Sequence, residues 1–340
     1  MWRTELPDIQ PHYAVKANND PQLLRWLSAS GVGFDCASVR EVGEATVAGA
    51  DPRRDIIYAQ PCKTVADLQR AAAAGVPATV VDSPEEVDKL RAARWSGDVL
   101  IRLLVPDAGS AQPFSRKFGA PLDWVPEIAR ALAAAGQRHT GWSFHVGSVC
   151  GDVSQYRCAI ECAAAAAAMT GTTGTVDIGG GFIPGPEQFR AAAAAIRAAQ
   201  PLFPRHTRWI AEPGRFFAAP AADAEVEVIG VKRRTTGPGQ RVTLDESVYG
   251  IFSNILFDGQ RPRFRLLAPD APRRPTTPTT LFGRTCDSAD CIVEDAPMPS
   301  LRVGDRLRVP AMGAYTVVSA SDFNGFPQPA RVYQRLPQLV

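Results

Sequence analysis

The run PHYAVKANNDPQLLRWLSASGVGFDCAS, residues 11–38, contains one full period of the pattern that decides the fold. A β-prone segment (HYAVKA) gives way to an amphipathic one (PQLLRWLSAS), and a second β-prone segment (GFDCA) follows a glycine-flanked turn. The helical stretch opens on Asp20 and Pro21 and ends at Gly31, the expected start and stop residues. The same alternation continues. Strand candidates DIIYAQ, ATVVDS, DVLIRLLV, GWSFHVG, TVDIGGG and RWIAEPG are each preceded by an apolar-periodic, alanine-rich helix candidate. Eight strands with one helix between neighbours describe a (β/α)8 TIM-like barrel better than an open doubly wound sheet.

After about residue 222 the helical period fades. EVEVIGVKRR, QRVTLDE, RFRLLA, TTLFGRT, DRLRVPAMGAYTVVS and ARVYQRL read as short β runs punctuated by Pro and Gly. The expected organisation is a barrel over 1–222 and a β-rich domain over 223–340. Composition agrees with a globular protein: 340 residues, 45% hydrophobic, net charge +2 with both signs interspersed. That balance gives no reason to expect nucleic acid or an anionic membrane surface as partner. No apolar run is long enough to span a bilayer, and no charged-then-apolar leader opens the sequence. Seven cysteines with no CxxC pair suggest reduced thiols in a cytoplasm, and neither a disulfide framework nor a metal site.

Lys16 is one of five lysines against 32 arginines. A surface position in this composition would more often hold Arg. An amine that can lose its proton and attack a carbonyl must be Lys. Barrels keep reactive groups at the C-terminal ends of their strands. Reading only those ends collects Lys16, Asp35, His145 with Ser148, Gly179, Gly180 and Gly181, and Glu212 with Arg215. Each has a plain alternative: a tight turn for the glycines, a core imidazole for His145, an ion pair for Glu212 and Arg215. Their convergence on one end argues for a site. Glycines after a buried strand expose backbone amides that suit a phosphate.

In chain order, YAVKAN, GFDCAS, VDS, KFGA, FHVGS, DIGGGF, AEPGR, VYG, CDSAD, GAY and FNGF resemble the fold-type III pyridoxal-phosphate decarboxylases, the ornithine, diaminopimelate and arginine decarboxylase family. The resemblance spans nearly the whole chain. It implies pyridoxal 5'-phosphate as cofactor, bound covalently by Lys16 with Asp35 beside it. It also implies that His145 stacks on the ring, and that Ser148, Gly179, Gly180, Gly181, Arg215 and Tyr315 hold the phosphate. Glu212 would pair with the ring nitrogen and favour its protonated form, and Cys286 would return a proton to the substrate carbon. CD rather than CE, together with NILFD, implies an ornithine-type pocket in which Asp258, Asp287 and Tyr249 receive the substrate. Two carboxylates would then meet its distal ammonium through charge-assisted bonds.

The implied reaction is decarboxylation of a small-molecule basic amino acid, first L-ornithine to putrescine and CO2. Lysine, arginine or another diamino acid are the enzymatic alternatives. An inactive, regulator-binding homologue of the antizyme-inhibitor kind is the non-enzymatic one. The family also implies a homodimer whose sites are shared between chains. Three features depart from its pattern. Lys16 is preceded by fewer residues than relatives carry, so the sequence is expected to start late or the β-rich domain to lack an edge strand. Ile183 intervenes between Phe182 and Pro184, and Pro113 stands near the place of a basic residue before KFGA.

Overall fold

The computed structural model describes residues 1–235 and 237–334, in two compact units, Met1–Ala221 and the residues from Ala222 onward. In the first, eight strands form a closed barrel: β1 (Ile9–Ala14), β2 (Gly33–Cys36), β3 (Ile56–Tyr58), β4 (Ala78–Val81), β5 (Asp98–Arg102), β6 (Arg138–Ser143), β7 (Thr175–Asp177) and β8 (Arg208–Ala211). All eight are the expected ones. Every neighbouring pair is parallel, and β1 closes the ring against β8, with Ile9 opposite Trp209.

Beside a single-turn helix at Pro52–Asp55, seven longer helices separate the strands: α1 (Pro21–Ala29), α2 (Val39–Val47), α3 (Val65–Ala74), α4 (Pro84–Ala93), α5 (Val125–Ala134), α6 (Ser154–Thr170) and α7 (Pro186–Ala199). Their starts follow capping chemistry. Asp20 accepts from the amides of Gln22 and Leu23, Ser38 from Glu41, and Thr64 from Asp67. Gly75 and Gly171 end α3 and α6 in the left-handed conformation. Each helix turns one stripe inward. Val125, Ile128 and Leu132 of α5 are fully buried, each worth about 1.5–3 kcal/mol of transfer free energy.

The second unit is built on a six-stranded sheet of β9 (Ala224–Arg233), β10 (Gln240–Leu244), β11 (Arg265–Leu266), β12 (Thr276–Phe282), β13 (Cys291–Pro299) and β14 (Arg306–Val309), ordered β11-β14-β9-β10-β12-β13. Only β10 and β12 run parallel. Val226, Val228, Val242, Leu244, Leu281 and Leu307 fill its core.

Three β expectations need correction here. CIVEDAPMP, not foreseen as a strand, forms β13 at the sheet edge, where Pro297 and Pro299 leave no required donor missing. The long run DRLRVPAMGAYTVVS is a strand only over β14. Ala311 and Tyr315 then adopt left-handed φ of 58° and 56° and turn the chain away. ARVYQRL is irregular over 330–334, and its remaining residues lie outside the described ones. Among the described residues, no helix is long and apolar enough to cross a membrane.

Candidate active site

The C-terminal mouth of the barrel gathers the residues expected from the strand ends. Lys16 lies in a single 3-10 turn, Val15–Ala17, directly after β1. Its Nζ is 2.6 Å from Oδ2 of Asp35, which ends the inward face of β2 and is buried. The lysine side chain keeps 39% of its exposure. Its ammonium therefore sits at the mouth and leans on a buried carboxylate instead of being buried itself.

Across the mouth, His145 follows β6. Burial, with the charges of Arg102 and Lys16 facing it, pushes its pKa far down, so the ring is neutral. Its Nδ1 accepts from the amide of Gly147 at 3.0 Å, which places the ring proton on Nε2. Phe114 packs on the imidazole at 4.7 Å between centroids. The loop carrying Phe114 is tied by Asp107, whose carboxylate accepts from the amides of Phe114 and Ser115 and from the Ser115 hydroxyl.

The glycine loop after β7 comes close to both neighbours. A Cβ on Gly180 would stand 2.8 Å from the Glu212 carbonyl and 2.9 Å from His145 Nε2, so no larger residue fits. The carbonyls of Gly180 and Gly181 are taken by Tyr156 Oη and the Cys150 amide. Their own amides have no partner among the described residues. Nearby, Arg215 Nη2 donates to Ser148 Oγ at 3.1 Å, and the arginine is buried. Two open amides, a hydroxyl and a guanidinium are the donor set a phosphate requires.

Glu212 is buried, and its Oε1 has no partner among the described residues. Burial, then the charges of Asp177 and Asp35, push its pKa well above the usual carboxylate range. Asp177, fully buried at the end of β7, is raised to about 6, first by the same desolvation. The two neighbouring carboxyls thus resist being ionised together. An orphaned carboxylate oxygen in a dry site fits a ring N–H brought in by a ligand. The residues at this mouth fit pyridoxal phosphate at both its ends.

In the second unit, VYG, CDSAD and FNGF converge. The Tyr249 hydroxyl donates to Asp287 Oδ2, and its ring stacks on Phe323 at 4.3 Å. Asn324 Oδ1 accepts from the Cys286 amide at 3.2 Å. Cys286 is exposed on this loop. The bond from Tyr249 and the Ala289 amide hold the Asp287 carboxyl below its ordinary range, so it is ionised at neutral pH. Asp258 is buried at the last residue of α8 (Ser253–Asp258). Ser253 Oγ of that helix lies 2.9 Å from Ser319 Oγ, which in turn donates to the carbonyl of Tyr315. The structure thus joins Tyr249 to Asp287, and α8 to the Tyr315 turn.

Sequence reasoning missed Arg102, Asp177 and Asp290. Arg102 ends β5, faces the carboxylates of Glu212, Asp82, Asp177 and Asp35, and lies over the Phe118 ring at 5.0 Å. The strand-end rule applied to β5 would have found it. Asp290, fully buried, accepts from the Val248 amide and from the Thr285 amide and hydroxyl, and so shapes the loop that presents Cys286.

Residues 1–219 match the family described as "Pyridoxal-dependent decarboxylase, pyridoxal binding domain". The chain belongs to this family. As a decarboxylase it is 38% identical to ornithine decarboxylase of Caenorhabditis elegans, over 98% of this chain and 83% of that protein. It is also 35% identical to antizyme inhibitor 2 of Xenopus laevis, over 98% and 77%. Among solved structures, it superposes on the Paramecium bursaria Chlorella virus arginine decarboxylase bound to agmatine with a TM-score of 0.91 and 33% identity, covering 96% of this chain and 90% of that one. The chain is a pyridoxal-phosphate-dependent carboxy-lyase built as a TIM-like barrel with a C-terminal β domain.

Proposed function

We propose that this decarboxylase acts on L-ornithine, releasing CO2 and forming putrescine. The observation that carries the reading is Glu212, a buried carboxylate kept unsatisfied at a mouth that also holds a reactive amine and a phosphate-sized donor set. When bound, the cofactor's protonated ring accepts the electron pair left by departing CO2. Every other task falls to the chain. Lys16 holds the cofactor covalently, and Asp35 orients its amine. His145 offers a flat neutral face to the ring. Gly180, Gly181, Ser148 and Arg215, with Tyr315, hold the phosphate, whereas the Gly179 amide expected to join them donates to Asp177 Oδ1 at 2.9 Å. Glu212 keeps the ring nitrogen protonated, with Asp177 and Arg102 balancing its charge. The thiol of Cys286 supplies the proton that replaces the lost carboxylate.

Ornithine is favoured over arginine by two carboxylates suited to a compact ammonium, Asp287 and Asp258. The retained Lys16, His145, Glu212, Arg215 and Cys286 argue against a role limited to binding a regulator. The deciding experiment is a product assay over ornithine, lysine and arginine. Asp287→Asn should lower kcat/KM for ornithine by at least about tenfold, because a charge-assisted bond is weakened. An unchanged rate would remove the basis for this substrate.

The active form in this reading is a homodimer with two shared sites, in which Lys16, His145, Glu212 and Arg215 work with Cys286 and Asp287 of the partner subunit. Mixing inactive Lys16→Ala with inactive Cys286→Ala should restore about a quarter of parental activity, since random exchange makes half the dimers mixed with one intact site each. No recovery after demonstrated exchange would mean that each chain builds its own site. Seven free thiols among the described residues fit a reducing cytoplasm. Finding the native protein in an oxidising compartment with those thiols paired would overturn that placement.

A further inference from the structure

Arg284 stands two residues before Cys286 on the same loop, and its contacts are with two other segments of the second unit. On one side lies Glu246, the residue that opens the turn bearing Tyr249. The Arg284 amide donates to the Glu246 carbonyl at 3.2 Å, and Nη2 lies 3.6 Å from Oε1 of the Glu246 carboxylate. The other carboxylate oxygen accepts from the amides of Ser247 and Ile251, which fixes that turn. On the other side lies the segment 321–327. Arg284 Nη2 donates to the Pro327 carbonyl at 2.8 Å, and the guanidinium lies over the Phe326 ring at 4.5 Å.

This segment is a strap with little burial of its own. Every residue of 321–327 is exposed except Phe326, which is half-buried. Yet the strap carries two side chains on which the loop depends. Phe323 stacks on Tyr249, and Asn324, in the left-handed conformation with φ of 58°, accepts from the Cys286 amide. Ser321 ties the start of the strap to the Tyr249 carbonyl, and Arg284 ties its end. Loop and strap therefore meet at two rungs in opposite chain order: Cys286 with Asn324, and Arg284 with Phe326 and Pro327. A lone hydrogen bond at the surface competes with water and does not fix a chain. A guanidinium grips a carbonyl through its N–H fork and an aromatic ring through its flat face at once. The Arg284 side chain is only 17% exposed, so both contacts are partly shielded from water.

We propose that Arg284 is a positioning residue for the proton transfer: by closing the far end of the strap it keeps Asn324 on the Cys286 amide, and so sets where the thiol is presented. The inference rests on the reading of Cys286 as the proton donor. When CO2 has left, a proton from the thiol forms the new C–H bond at the substrate carbon and gives the amine, and the thiolate regains its proton from solvent. A proton that reaches the cofactor's carbon instead leads, after addition of water across the C=N bond, to an aldehyde and the amine form of the cofactor. A thiol held in place suppresses that second outcome.

Two measurements on the full-length Arg284→Met variant test this. Hydrogen exchange at the Gly325, Phe326 and Cys286 amides, each hydrogen-bonded in the parent, should speed up by at least about tenfold, with exchange in β9 and β10 unchanged. During turnover of whichever basic amino acid the enzyme decarboxylates, the aldehyde share of the product should rise by at least about tenfold. Phe326→Ala removes the other half of the grip and should bring the same two changes, and the double variant should add little to either. A merely structural arginine would lower the unfolding midpoint and leave the product ratio at the parental value. Unchanged exchange or an unchanged product ratio in Arg284→Met would overturn the proposal. A parental ratio in Cys286→Ala would overturn the reading of the thiol, and this proposal with it. If Arg284→Met fails to fold, Phe326→Ala decides by the same two measurements.

Discussion

Two buried acids, one in each unit, are held in opposite ways. Asp290 is enclosed by donors: two amides and a hydroxyl reach its carboxylate, and Gly283 lacks a side chain because any Cβ there would run into it. Glu212 is equally removed from water yet keeps an oxygen without a partner and leans on another acid, Asp177. A fully satisfied buried carboxylate determines shape. An unsatisfied one keeps a place for something that arrives later, at a cost to the empty fold. The contrast separates structure from function without reference to any relative.

The sharpest way to break this contrast is Glu212→Gln. It should lower kcat/KM by about 10²–10³-fold, the usual loss when one preorganised charge is removed from a dry site. Thermal stability of the cofactor-free protein should meanwhile hold or rise. A variant that lost stability and kept its rate would make Glu212 an ordinary structural acid. Asp290→Ala should behave in reverse. It strands the buried Val248 amide and the half-buried Thr285 amide and should cost about 2–3 kcal/mol in denaturant unfolding, with activity lost only as the loop carrying Cys286 loosens. A neutral result would show that the loop holds without it.

The smallest effect sharpens the comparison through pH. The carboxyl of Glu212 ionises in the unfolded chain near its ordinary value and resists ionisation in the cofactor-free fold. Above about pH 4.5 the folded state therefore binds the extra proton, and stability falls as pH rises, by at most about 1.4 kcal/mol per pH unit. Glu212→Gln should flatten that decline in unfolding midpoints measured from pH 5 to 7. An identical slope in both proteins would mean that the carboxyl ionises freely when folded.

What the sequence made legible follows the same division. Elements whose pattern repeats were readable: all eight barrel strands, and caps such as Asp20, Ser38 and Thr64. Features set by an edge or by a partner distant in sequence were not. Pro297 and Pro299 argue against a strand unless one knows that β13 has a neighbour on one side only. YTVVS looks like a strand until Tyr315 takes a left-handed φ that no propensity announces. The barrel residues of the site were legible because strand ends mark them. Arg102 and Asp177 resemble ordinary strand residues, and their roles appear only when the closed barrel sets them against Glu212.

The seam that closes the barrel has a consequence for how the protein is made. Ile9 of β1 meets Trp209 of β8, a partner 200 residues later in the chain. At the usual pace of synthesis, β1 waits about 10–40 s for that partner to be translated. During that interval its outer edge offers unpaired amides and carbonyls to any other nascent strand. Lys16 follows on the same segment, so the amine that the chemistry needs is carried on the element longest at risk of mispairing. Aggregation during overproduction should therefore respond more to a chaperone that shields β1 than to any change that merely raises equilibrium stability.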